Sequence, residues 1–283
     1  MPETPPFHEG QIRTRDGSQL FWRRCRAAAE ERAVVVLVHG MGEHSSRYLH
    51  VAGHLAAHGY GVCMFDLRGH GRSEGRRGHI ENYGQLIEDL ALVWQEFARP
   101  GAPLFLYGHS LGAQLAINFV SERKPEIAGL VAASPWLDLA FAPRTWKILL
   151  ARMALRLWPH FTQETEVIPA RLSRDQSFLA SLPDLHLVHH RMSARMYFEL
   201  MHGARRARES AARMASPLLL LHGECDPVTS TAATRDFFEK ATASDKTFRL
   251  YPGGLHETHN DLDRGIVLHD VTQWLDARIP LRL

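Results

Sequence analysis

Residues 106–113, LYGHSLGA, decide how this chain is read. An apolar run turns sharply between Gly108 and Gly112, then continues into AQLAINFVSERKP (113–125), whose apolar spacing is helical until Pro125 stops it. A strand, a tight turn and a helix are thereby joined, with Ser110 alone at the tip. In a G-x-S-x-G turn the serine takes a strained backbone conformation, so its neighbours two positions away must lack side-chain bulk. The turn exposes the hydroxyl at a helix N-terminus, where free N–H groups favour negative charge. The bare pattern equally suits a serine N-cap between two packing glycines, so its surroundings must decide.

Working outward, AVVVLVHG (33–40) is a short continuous apolar run rich in β-branched valine, the pattern of a strand buried on both faces. Before it, Asp16-Gly17 sits between two strand-like segments as a hairpin turn. After it, helical and strand-like stretches alternate: a helix through RYLHVAGHLAAHGY ending at Gly59, a strand at YGVCMFD, a helix at YGQLIEDLALVWQEFA, the Ser110 strand and helix, and a strand at IAGLVAASP. This βαβα rhythm predicts a mostly parallel sheet with helices on both faces. It breaks between about Trp136 and Met214, where strand signals vanish, and resumes with PLLLLHG, a helix near 230–240, TFRLYP and a C-terminal helix through Trp274. The expected organisation is an α/β core in two parts, residues 1–135 and 215–283, with a helical cap inserted at 136–214.

Composition narrows the function classes. Among 283 residues, 33 Lys and Arg against 31 Asp and Glu leave a net charge of +2, so no large single-sign field exists to attract nucleic acid or anionic membrane over long range. Cys25, Cys63 and Cys225 are odd in number and scattered, fitting neither a disulfide framework nor a closely spaced metal site. HETH (256–259) is not H-E-x-x-H, so a zinc protease is not indicated, and the serine mechanism expected below uses neither metal nor other cofactor. The start carries no basic-then-apolar leader pattern, and no apolar segment reaches membrane-spanning length. A soluble, cytoplasmic protein is the expectation.

A serine hydroxyl becomes a useful nucleophile only when a positioned imidazole takes its proton, and the imidazole needs an orienting carboxylate. Asp226, in LLLLHGECDPVTS, follows a strand; His256, in LYPGGLHETHND, lies in the loop after the next one. Serine, acid, histidine is the chain order expected for this kind of turn, and all three would emerge at carboxyl ends of strands. His259 and Glu224 are the neighbouring rivals. Acyl transfer also requires oxyanion donors: the N–H of Leu111 and, between the glycines of HGMGEH, that of Met41. Gly40 and Gly42 also fit as plain turn residues.

Together, HGMGEHSSRY (39–48), DLRGHGRSEG (66–75), GHSLGA (108–113), SARMYFEL (193–200) and the Asp226 and His256 loops resemble the monoacylglycerol lipase and lysophospholipase branch of the α/β-hydrolases, also grouped as serine aminopeptidase-like hydrolases. The resemblance covers most of the chain. It implies an α/β-hydrolase fold, Ser110 as nucleophile, His256 as base, Asp226 as its orienter, and Met41 and Leu111 N–H as oxyanion donors. It implies a serine ester hydrolase acting on a single-chain acyl ester such as a monoacylglycerol, with lysophospholipid or a short-chain ester as alternatives. A silent binding scaffold of the same fold would be expected to lose a triad position. Glu43 and Arg47 are placed either near the substrate's polar head or in an internal ion pair that pins the loop, while Asp66 and Arg68 are expected to fix a loop. The pattern departs from the branch in the cap, where LSRD is followed by Gln176 rather than proline and Leu185-His186 replaces an Asp-Pro step.

Within the cap, RTWKILLARMALRLWPHF (144–161) has Trp146, Leu149, Leu150, Met153 and Leu157 on one face, read as core-facing. A second apolar strip, Ile148, Ala151, Leu155 and Trp158, lies largely opposite, with basic residues between. A helix of this kind suits a lid that touches a lipid surface, or one packed within the cap or a dimer.

Overall fold

A computed structural model of the chain describes residues 6–28, 30–98, 101–165 and 168–279; the first five residues of the polar N-terminal stretch lie outside the described residues. In chain order the elements are β1 (Phe7–Arg13), β2 (Gln19–Cys25), β3 (Ala33–Val38), α1 (Leu49–Ala57), β4 (Tyr60–Phe65), α2 (Tyr83–Phe97), β5 (Leu104–His109), α3 (Leu111–Arg123) and β6 (Gly129–Ala133). There follow α4 (Thr145–Leu157), β7 (Thr162–Glu164), α5 (Gln176–Ser181), β8 (Arg191–Ser193), α6 (Ala194–Glu209), β9 (Leu218–Gly223), α7 (Thr231–Lys240), β10 (Lys246–Tyr251) and α8 (Arg264–Asp276).

Eight strands form one sheet in the order β1-β2-β4-β3-β5-β6-β9-β10. The β1/β2 hairpin and the β2/β4 pair are antiparallel; every pairing from β4 to β10 is parallel. The hairpin turns at Gly17, whose φ of +91° suits glycine. This is the mostly parallel sheet expected from the βαβα rhythm.

Both faces of the central strands are covered, which explains their unbroken apolar runs. On β3, Val34, Val36 and Val38 join the core beneath α2, α3 and α6, while Ala33, Val35 and Leu37 join the opposite core beneath α1 and α8. Full burial of each such valine or leucine is worth about 1.5–3 kcal/mol. Helix α3 is buried at every position from Leu111 to Val120, because the sheet lies on one side and α2 and α6 on the other. Its polar Asn118 is satisfied there, donating to Tyr83 OH and Gly203 O, both at 2.9 Å.

Two expectations for residues 136–214 are corrected. Strands do not vanish: β7 and β8 pair as a short antiparallel ribbon. Each has only three residues (TQE and RMS), too few and too polar to show alternation. The apolar face of α4 is also inverted. Trp146, Leu149, Leu150, Met153 and Leu157, read as core-facing, are all more than half exposed, whereas Ile148 and Ala151 of the second strip line a cavity; Trp158, at the far end of that strip, is exposed with the outer face. A helix that bridges a cavity meets the body only along the strip that roofs it, so position rather than apolar count decides which side is covered. Helix α6 roots the segment in the body, with Met196, Leu200, Ala204 and Ala207 in the same core as α3. Among the described residues, no helix is long and apolar enough to cross a membrane.

Candidate active site

Ser110 sits between the end of β5 and the start of α3 with φ 53° and ψ −114°, a conformation that side-chain-bearing residues rarely adopt. Neighbours over-determine it. Its N–H donates to Ala133 O at 2.9 Å, and its carbonyl accepts from Gln114 N at 3.0 Å and Trp136 N at 3.1 Å. The flanking glycines are forced: a Cβ at Gly108 would lie 2.4 Å from Gly112 O, and one at Gly112 2.2 Å from Val38 O. Since α3 starts at Leu111, the Leu111 N–H falls in the first turn, where no intrahelical acceptor exists.

The acid and the histidine come together from separate loops. His256 Nδ1 donates to Asp226 Oδ2 at 2.8 Å, which fixes the tautomer and leaves Nε2 with the lone pair. His256 and Ser110 line the same cavity. Asp226 also accepts from Val228 N (2.7 Å), Thr229 N (3.1 Å), Thr229 Oγ1 (2.7 Å) and His222 Nε2 (3.0 Å). Burial works against its charge, but His256 and His222 hold its carboxyl far below the ordinary carboxylate range. Burial likewise opposes charge on His256, yet the Asp226 carboxylate outweighs it and raises the pKa of the ring above 6.5.

The rivals lie elsewhere. His259 is fully buried, stacked on Tyr48 with ring centroids 4.7 Å apart, and burial followed by the charge of His109 holds its pKa well below 6.5. Glu224 is exposed and accepts from Gly253 N at 3.1 Å.

The loop after β3 closes against the serine. A Cβ at Gly40 would lie 3.2 Å from Ser110 Cβ, and one at Gly42, φ +78°, would meet His189 O at 2.3 Å. Met41 between them lines the cavity. Glu43 holds this loop from beneath: its Oε1 accepts from Gly40 N and Tyr48 OH, both at 2.6 Å, and its Oε2 accepts from Arg47 Nε at 3.0 Å. Arg47 then donates to both oxygens of Glu257, at 2.9 and 2.7 Å. Burial penalises the Glu43 charge, but the His109 hydrogen bond and the Arg47 charge keep its carboxyl ionised well below the ordinary value. Glu43 and Arg47 thus form the internal ion pair, and they also border the cavity. Asp66 accepts from Ser45 N and Arg72 N, both at 2.7 Å, and Arg68 forms a two-pronged bond to Asp89; these residues hold the 66–75 loop.

The cavity measures about 520 Å³ and is walled mainly by apolar side chains, among them Leu139, Ile148, Leu172, Leu179, Val188 and Tyr197. Ser110 and His256 are among its polar lining residues. Such a chamber can hold an acyl chain with its ester carbonyl at the serine.

A family model described as serine aminopeptidase, S33, matches residues 29–263. The chain belongs to this family. It is 30% identical over 253 residues to the monoacylglycerol lipase of Mycolicibacterium smegmatis, covering 88% of this chain and 90% of that one. It is 31% identical over 268 residues to an uncharacterized abhydrolase domain-containing protein of Dictyostelium discoideum, covering 94% of this chain and 28% of that longer protein. The crystal structure of Paleococcus ferrophilus monoacylglycerol lipase matches with a TM-score of 0.81 at 31% identity, covering 96% of this chain and 99% of that one. This S33 family member is a carboxylic ester hydrolase with the α/β-hydrolase fold.

Both departures from the branch pattern fall on the cavity of this S33 enzyme. Gln176 and Leu185 line it, and Gln176 Nε2 donates to Ala170 O at 3.0 Å, bracing a turn. Three residues with no sequence signal complete the site. His222 shares Asp226 with His256; Ser134, itself at φ 43°, donates to His256 O at 2.8 Å; Glu257 clamps Arg47. Strand-end positions and single polar residues in loops carry no periodicity, so only the fold brings them to view.

Proposed function

We propose that Ser110, His256 and Asp226 act as a catalytic triad and that the enzyme hydrolyses single-chain acyl esters of the monoacylglycerol type. His256 Nε2 takes the Ser110 proton as Oγ bonds to the ester carbon. The oxyanion forms towards the N–H groups of Met41 and Leu111. As the ester C–O bond breaks, the imidazolium gives its proton to the departing alcohol. Water, deprotonated in turn by His256, releases the fatty acid and restores the serine. Glu43 and Arg47 position the Met41 loop. Residues 136–214 are the cap, and its α4 roofs the acyl chamber while presenting its outer apolar face to the lipid surface that supplies substrate.

The observation that carries this reading is the strained Ser110 sharing one largely apolar cavity with a carboxylate-bound imidazole. The relatives named monoacylglycerol lipase support the glyceride. Labelling with a fluorophosphonate, mapped by peptide mass spectrometry, tests the nucleophile; hydrolysis of monoacylglycerols, lysophospholipids and aminoacyl anilides in parallel tests the substrate. Modification at Ser110 with glyceride turnover is expected. Modification elsewhere, or preferred cleavage of the anilide, overturns the proposal.

A further inference from the structure

Outside the cavity, three donor side chains converge from two distant parts of the chain. His79 and Glu81 belong to the loop between β4 and α2, while His160 belongs to the turn after α4. His79 Nε2 lies 3.0 Å from His160 Nδ1 and 3.3 Å from Glu81 Oε1, and His160 Nδ1 lies 3.7 Å from that same oxygen. Ligand atoms about 2.0–2.2 Å from a tetrahedral zinc ion stand roughly 3.3–3.5 Å from one another. The three separations scatter around that edge length. Two imidazole nitrogens and one carboxylate oxygen are also the donor types that zinc accepts in three-ligand sites.

The surroundings fit the same reading. The other ring nitrogen of His79, Nδ1, lies 2.9 Å from Ser193 Oγ, the kind of outer hydrogen bond that orients a metal-bound imidazole. Ser193 Oγ already accepts from Met196 N at 3.1 Å as the N-cap of α6. When His79 Nδ1–H donates to Ser193, Nε2 faces His160 and the Glu81 carboxylate with a lone pair. A cation at the centre satisfies all three acceptors. Arg195 Nε, 3.8 Å away, engages the other Glu81 oxygen. His79 is buried, whereas Glu81 and His160 are exposed, which leaves an open side for entry and for a fourth, water ligand.

We propose that His79, Glu81 and His160 bind one divalent transition-metal ion, zinc by this donor set. Because His160 directly follows α4, the ion fastens the C-terminal end of the helix that roofs the cavity to the body loop beneath it. The ion sits outside the cavity and takes no part in ester cleavage.

The test uses the full chain without a histidine tag, stripped with a chelator and dialysed against micromolar zinc, with metal content read by mass spectrometry. One zinc per chain is expected in the wild type. His160→Ala and Glu81→Gln, both at exposed positions, lose that stoichiometric zinc. Cobalt in place of zinc should give the visible absorption of a low-coordinate site in the wild type alone, and zinc should raise the Tm of the wild type but not of His160→Ala. A wild type that takes up no zinc, or variants that keep one ion per chain, overturns the proposal. None of these readouts depends on ester hydrolysis, so the outcome is independent of the substrate assignment.

Discussion

At Asp226 a single carboxylate oxygen takes hydrogen bonds from two imidazoles, His256 at 2.8 Å and His222 at 3.0 Å. His222 is held in turn through Nδ1, 3.0 Å from Thr234 Oγ1, so the carboxylate is oriented from both sides. Because Asp226 raises the pKa of His256 in the folded protein, this pairing stabilises the fold fully below pH 6.5 and the contribution is lost as pH rises through the raised value. With His256 as the proposed base, the same titration supplies its neutral form, so kcat/KM should rise with pH through an apparent pKa above 6.5. Asp226→Asn should lower kcat by about 10⁴-fold and move the acid limb towards lower pH. Glu224→Gln should leave the pH profile unchanged. A full pH–rate series on the three proteins checks both statements, and an unshifted limb in Asp226→Asn would detach His256 from this carboxylate.

Among the elements, α4 carries the least expected arrangement. Its exposed apolar residues Trp146, Leu149, Leu150, Met153 and Leu157, with Trp158 just after its end, range from 53 to 69% exposed, an unusual density for one helix facing water. Arg152 and Arg156 stand among them and Lys147 borders the cavity, and on the proposed reading this outer face rests on a lipid interface. Neither tryptophan borders the cavity. Replacing Trp146 and Trp158 together by serine should therefore weaken sedimentation with phospholipid vesicles several-fold while turnover of a water-soluble ester holds within about twofold. The stability cost should stay near about 0.5 kcal/mol per site, as for other exposed positions. Equal vesicle binding by the variant would remove α4 as the contact.

Across the whole molecule, Arg47 joins the loop after β3 to the loop after β10 through Glu43 and Glu257, all three buried. These loops carry Met41 and His256, so one guanidinium ties together the two loops proposed to supply the oxyanion donor and the base. Arg47→Met leaves two carboxylates buried without their cation and should destabilise the fold by about 3–5 kcal/mol, measured as a lower urea midpoint. It should also reduce kcat through the loosened Met41 loop. A variant as stable as the parent would make the network dispensable.

What the amino-acid order determined by itself is the parallel sheet, the Ser110 turn, and Asp226 and His256 at their strand ends. Apolar runs, helical spacing and glycine requirements are local properties of the chain, and strand-end loops in this topology share one edge of the sheet. Other features belong to tertiary structure alone. The outward face of α4 depends on a cavity rather than a core lying beneath it. The second imidazole on Asp226, the Ser134 hold on His256 and the Arg47 clamp each join loops far apart in sequence. His79 and His160 meet across 81 positions. Periodicity reports which side of an element is apolar; only packing decides what that side meets, because contact between distant segments is a property of the whole fold and leaves no local spacing behind.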